Sequence, residues 1–145
     1  MKVVDVVAGI VFDHACSQVL LALRKPGQHQ GNLWEFPGGK IEIGEQPEQA
    51  LRRELQEETD ISVIECQPNR TIEHRYSDKH VRLHFYDVFE FSGEPRGMEG
   101  QELRWVRLRE LENMPFPDAN QSIVDDLLES ARSGRLRRPG RDSID

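Results

Sequence analysis

The amino-acid sequence predicts an α+β domain with mixed strand pairing, and three observations point there. The chain opens on two β-branched runs, Val3 to Phe12 and Val19 to Leu23, of the kind that suits a pleated, half-buried surface. A charged middle segment places Leu51 and Leu55 four residues apart, the apolar stripe of a helix. Farther on, Val81, Leu83 and Phe85 alternate with Arg82, His84 and Tyr86, the period of a strand with one buried face.

The elements follow in order. The two early runs flank a polar turn and read as a strand pair. Residues 25 to 35, with Pro26, Gly27 and Gly31, read as a long loop, a feature that in small domains often serves function. Pro47 suits the first turn of the helix that follows, where its missing donor leaves nothing unsatisfied. Arg70 to Tyr76 and Val81 to Phe91 form a hairpin around Ser77-Asp78-Lys79. Beyond Asp87 the alternation slips, which calls for a bulge or for burial of both faces. Leu103 to Val106 is a short strand, and Ile123, Val124, Leu127 and Leu128 mark an amphipathic helix. Residues 1–130 are therefore expected to form a single domain. Residues 131–145, with Arg132, Arg135, Arg137, Arg138 and Arg141 among Gly and Pro, read as a disordered basic tail, secondarily an anionic docking arm.

Composition narrows the function classes. A chain of 145 residues suffices for one core. The formal net charge of −7 argues against a nucleic-acid polymer as partner but not against a nucleotide, because a bound metal reverses the local field. No long apolar segment suggests a membrane span, and no basic-then-apolar leader opens the chain. Cys16 and Cys66 are too few for a disulfide framework, so reduced thiols and a cytoplasmic setting are expected. His14, His29, His74, His80 and His84 show no spacing that would hold a metal.

The most informative stretch is Gly39-Lys-Ile-Glu-Ile-Gly-Glu-Gln-Pro-Glu-Gln-Ala-Leu-Arg-Arg-Glu-Leu-Gln-Glu-Glu-Thr-Asp-Ile61. Glu54, Glu57 and Glu58 lie three and four apart, so a helix brings them toward one side, where like charges repel. Either Arg52 and Arg53 neutralise an ordinary acidic surface, or a cation sits among the carboxylates. Oxygen ligands of this kind suit Mg²⁺, which bridges carboxylates to phosphates.

Gly39, Glu45, Arg53-Glu54-Leu55, Glu57-Glu58 and Ile61 closely resemble the Nudix box, whose family hydrolyses nucleoside diphosphates linked to another moiety. The one departure is Asp60, where the pattern has glycine. Asp tolerates the left-handed backbone needed there, so a modest stability cost is expected. Leu33 to Glu42 and Phe116-Pro-Asp-Ala-Asn120 resemble the MutT-type branch, which cleanses nucleotide pools of oxidised guanine nucleotides; the likeness spans roughly residues 3 to 128. It implies a Nudix fold, a mixed β-sheet sandwiched between helices, and hydrolysis of a nucleoside triphosphate, 8-oxo-dGTP or 8-oxo-GTP, to monophosphate and pyrophosphate. The rivals are the same chemistry on CTP or 5-methyl-dCTP, and a non-catalytic nucleotide sensor. A monomer or small homo-oligomer is expected.

The resemblance also assigns residues. Glu54, Glu57 and Glu58, with the Gly39 carbonyl and Glu99, would hold Mg²⁺, with Mn²⁺ able to substitute; Glu54 and Glu99 compete for the role of general base. Glu45 and Arg53 read as a bidentate scaffold pair that locks loop to helix. Arg24 matches a phosphate-contacting arginine, Lys40 is a second cationic candidate, Lys79 sits where the branch places a cation, and Gly38 lets backbone and phosphate approach. Asn120 offers donor and acceptor to a purine edge, though it also stands where a helix N-cap would. Phe36 would flank the base, with Val4 and Val6 on the opposite wall.

Overall fold

The computed structural model describes residues 2–25, 27 and 31–134. In chain order the elements are β1 (Val3–Val11), β2 (Gln18–Leu23), β3 (Trp34–Glu35), β4 (Gly38–Lys40), α1 (Pro47–Thr59), β5 (Ser62–Arg75), β6 (His80–Ser92), β7 (Leu103–Arg107) and α2 (Gln121–Ser133). Short 3₁₀ turns at Leu108–Asn113 and Asp118–Asn120 precede α2. One sheet runs β4-β1-β6-β5 and a smaller one β3-β2-β7. β1 and β6 are parallel, with Val6 opposite Leu83; all other pairs are antiparallel, so the sheet is mixed.

β1 explains the layering. Its side chains alternate between faces, and both faces are buried. Val7 and Val11 pack with Ala50, Leu51 and Leu55 of α1, whereas Ala8 and Ile10 pack with Ile123, Val124 and Leu127 of α2. The sheet is thus sandwiched between helices, as the resemblance to the Nudix fold implies. The same double burial accounts for the slip in β6, where Val88 faces α1 and Phe89 faces the α2 side. The register shifts themselves lie across Val63 to Arg70 of β5.

Three expectations need correction. The stretch 25–35 does not stay a loop to its end, because Trp34 and Glu35 pair with Leu23 and Ala22; Pro26 and residues 28–30 lie outside the described residues. β5 starts at Ser62 rather than near Arg70, since bulges and Pro68 hide its alternation. α2 continues through Ser133 and ends on Gly134 at φ 69°, past residue 130 where the domain was expected to close. Of the proposed basic tail, residues 135–145 lie outside the described residues. Among the described residues no helix is long and apolar enough to cross a membrane, and neither Cys16 nor Cys66 is joined in a disulfide.

The start and stop of α1 position the acids. Gln46 donates its backbone N–H to Gln49 Oε1 at 2.8 Å, and Pro47 follows in the first turn. The helix ends where Asp60 adopts φ 62°, ψ 28°, its N–H reaching the Gln56 carbonyl. Arg96 then donates to Asp60 Oδ2 at 2.6 Å.

Candidate active site

Leu51 and Leu55 are fully buried, which draws Glu54 and Glu58 to the margin of the buried face of α1. Glu58 is 8 % exposed, while the Glu57 side chain is 58 % exposed and stands on the outer flank. Arg53 Nη1 donates to Glu54 at 2.8 Å and to Glu57 at 3.2 Å. The rest of that guanidinium meets both Glu45 oxygens, at 2.6 and 2.9 Å, and the Lys40 carbonyl at 3.0 Å. Glu45 also accepts the Glu42 N–H. The hydrogen bonds from Arg53 and then from Glu42 hold the Glu45 carboxyl down at about 2, and Arg53 is shifted upward in turn.

Glu58 shows the opposite electrostatics. Burial first, then the negative Glu35, Glu99 and Glu54, push its carboxyl up to about 8, against a hydrogen bond from the Gly38 backbone. Glu54 is also raised, by burial more than by its acidic neighbours Glu57 and Glu99, with Arg53 opposing. A Cβ on Gly39 would stand 2.2 Å from Glu54 Oε2, so the carboxylate lies directly against that backbone. Only glycine fits.

Among the described residues no set of three or more Asp, Glu, His or Cys side chains stands gathered around one point. The hydrogen bonds say why: Glu54 and Glu57 turn to Arg53. The donor set still fits a divalent cation, because its atoms are hard oxygens and Glu35, Glu54 and Glu99 crowd Glu58 with like charge.

A depression of about 200 Å³ is lined by Arg24, Lys25, Glu35, Gly38, Glu58, Glu99 and Gln101, among others. A second, of about 100 Å³, is lined by Val6, Arg24, Glu35, Tyr76, Lys79 and Asn120, with Val81 and Leu83 on its apolar wall. Arg24 and Glu35 belong to both, joined at 2.7 Å. They form the partition between an acidic chamber and a mostly apolar one. A larger cleft of about 720 Å³ beside Cys16, Arg107 and Gly134 has, among the described residues, Glu110 as its single acid.

Asn120 is 5 % exposed, sits in the αR region and makes no side-chain cap bond to α2. Asn120 thus occupies the N-cap position of α2 with its backbone, while its side chain lies in the wall of the second depression instead of capping the helix. Phe36 does not flank a chamber: it is 3 % exposed, stacked on Phe116 at 6.0 Å and edge-on to Phe85. Its aromatic surface is better buried against other rings than left open. Lys40 is exposed and, like Val4, lines neither depression. Glu35, Tyr76, Val81, Leu83 and Gln101 were missed in the sequence. The alternation that places Val81 and Leu83 on one face of β6 was the available signal; Glu35 and Gln101 had none.

The NUDIX domain family matches residues 7–126. This chain belongs to the Nudix family. The box helix is thus α1, and its glutamates are those just described. Among its Nudix relatives, an 8-oxo-dGTP diphosphatase of Haemophilus influenzae is 41 % identical over 127 residues, 88 % of this chain and 93 % of its own. A CTP pyrophosphohydrolase of Escherichia coli is 35 % identical over 139 residues, 96 % of this chain and 98 % of its own. A solved MutT structure, from a comparison of the Aliivibrio salmonicida and Vibrio cholerae proteins, superposes with a TM-score of 0.79 at 38 % identity, covering 89 % of this chain and 99 % of that one.

Proposed function

We propose that this Nudix enzyme hydrolyses 8-oxo-dGTP or 8-oxo-GTP to the monophosphate and pyrophosphate with Mg²⁺, removing oxidised guanine from the nucleotide pool. The observation that carries this reading is Asn120, buried in the wall of an apolar chamber with no side-chain hydrogen bond among the described residues, one partition away from the acid cluster. A carboxamide so placed offers a donor and an acceptor to a purine edge.

The residues divide the work. Val6, Val81 and Leu83 shield one side of the base from water, and Lys79 and Tyr76 close the rim. Arg24, oriented by Glu35, meets the phosphates where the two chambers join. Glu54, Glu57, Glu58, Glu99 and the Gly39 backbone would hold Mg²⁺, which when bound neutralises phosphate charge and lowers the pKa of water. Glu54 and Glu99 are the candidates to take the proton as the water oxygen bonds to phosphorus and the bridging P–O bond breaks. Glu45 and Arg53 keep the loop and α1 in register while this happens.

A second reading, CTP or 5-methyl-dCTP as substrate, is favoured by the near full-length likeness to the CTP pyrophosphohydrolase. A panel of 8-oxo-dGTP, dGTP, CTP and 5-methyl-dCTP, with product analysis, separates the two. We expect kcat/KM for 8-oxo-dGTP to exceed that for dGTP by about 10²-fold or more, a discrimination within reach of paired hydrogen bonds, with pyrophosphate released. A preference for either cytosine nucleotide overturns the guanine assignment.

A further inference from the structure

The loop that follows β6 and carries Glu99 is fastened to the C-terminal turn of α1. Helix ends leave carbonyl groups without intrahelical partners, and this loop supplies donors. Arg96 N–H reaches the Thr59 carbonyl at 2.9 Å, and Met98 N–H reaches the Glu58 carbonyl at 3.0 Å. Gln101 completes the attachment with both ends of its amide: Nε2 donates to the Glu58 carbonyl at 3.0 Å, and Oε1 accepts the Glu99 N–H at 2.9 Å. The turn is tight, since a Cβ on Gly97 would stand 2.0 Å from the Gln101 carbonyl oxygen. From the other side Lys25 Nζ donates to the Glu99 carbonyl at 2.7 Å. Both backbone polar groups of Glu99 are thus held by side chains from elsewhere, while its own side chain is exposed at the acidic chamber. Pinning the groups on either side of its Cα fixes the direction in which the carboxylate leaves the backbone.

We propose that Gln101 is a positioning residue for Glu99, setting the aim of its carboxylate by tying the Glu99 amide to the backbone of Glu58. The assignment rests on the reading of Glu99 as a site acid. Nothing in the chemistry of a carboxamide makes Gln101 a reacting group. Its two hydrogen bonds bridge the backbones of two acids on different elements, and a small error in placing a catalytic group is costly.

The test is a double-mutant cycle with Gln101→Met, which keeps the length and loses both hydrogen bonds, and Glu99→Gln. We expect Gln101→Met to lower kcat about 10-fold to 100-fold with KM for the nucleotide little changed, and to speed hydrogen exchange at the Glu99 amide. In the Glu99→Gln background the same substitution should change kcat less than about 2-fold, because the group it aims is already gone. Equal kcat losses from Gln101→Met in both backgrounds overturn the positioning role alone. Wild-type turnover by Glu99→Gln overturns the reading of Glu99 itself, and the Gln101 assignment with it. Gln101→Glu keeps an acceptor for the Glu99 N–H but turns an oxygen toward the Glu58 carbonyl in place of the donor, so it too should lower kcat. Should Gln101→Met fail to fold, the cycle is run with Gln101→Glu, and a Gln101→Glu kcat equal to wild type then overturns the proposal.

Discussion

At Asp60 a residue with a Cβ takes the left-handed conformation that the Nudix box reserves for glycine, at φ 62°. The strain is offset by the ion pair to Arg96 and by the Asp60 N–H to the Gln56 carbonyl. An exposed pair of this kind contributes little, about 0–1 kcal/mol, while the left-handed region costs an L-residue about 1–2 kcal/mol. Asp60→Gly is therefore expected to raise unfolding stability by up to about 1 kcal/mol, measured by urea denaturation; a loss would mean that the Arg96 contact outweighs the strain. Asn120 gives the second prediction at this scale. Asn120→Ala removes no hydrogen bond from the fold, so stability should change by less than about 1 kcal/mol. The preference for 8-oxo-dGTP over dGTP should fall at least about 10-fold. An equal loss on both nucleotides would exclude Asn120 from base selection. The position of Asn120 in a buried turn could not be read from its letter, because N-cap and pocket-wall residues share the same chemistry.

At the scale of elements, the Glu45–Arg53 clasp decides how the loop after β4 meets α1. Glu45 in the folded chain titrates at about 2, well below the usual carboxylate range. A depressed carboxyl contributes stability that is present above its unfolded pKa and lost as the pH falls through its folded value. The contribution should therefore fade between about pH 4 and pH 2. In Glu45→Gln that part of the acid limb should flatten, while wild type loses stability across it; equal slopes for the two proteins would mean that the clasp does not act in solution. This pairing was legible in advance because an acid on the loop and an arginine on the helix have one evident geometry. β5 was not: its first half spends its residues on bulges from Val63 to Arg70, which erase the period of two. Phe36 misled for a related reason. An aromatic beside a glycine turn suits either a core or a platform, and the nearby Phe85 and Phe116 settle it for the core.

At the scale of the molecule, two apolar clusters, one under each helix, hold the sheet. The acidic chamber is a local concentration of like charge set into that frame, with Glu58 surrounded by Glu35, Glu54 and Glu99. Two consequences follow for metal removal. Chelation with EDTA should abolish turnover while leaving the far-ultraviolet circular dichroism unchanged. Adding back Mg²⁺ should raise Tm by about 5–10 °C, as expected of a ligand that binds only the folded state, on the order of 2–3 kcal/mol at a hundredfold excess over Kd. A Tm that ignores Mg²⁺ would remove the cation from this chamber.

The sequence by itself determined the family, the helix that bears the acids and the glycine turn that leads into it. These are matters of local spacing, and local spacing survives whatever the rest of the chain does. Only the tertiary structure decided that Arg24 and Glu35 form a shared wall, that Phe36 belongs to the core and that Gln101 joins Glu99 to Glu58. Those contacts join positions on different elements, such as 24 with 35 and 58 with 101. Their geometry is set by strand order and loop closure, which no window of neighbouring letters contains.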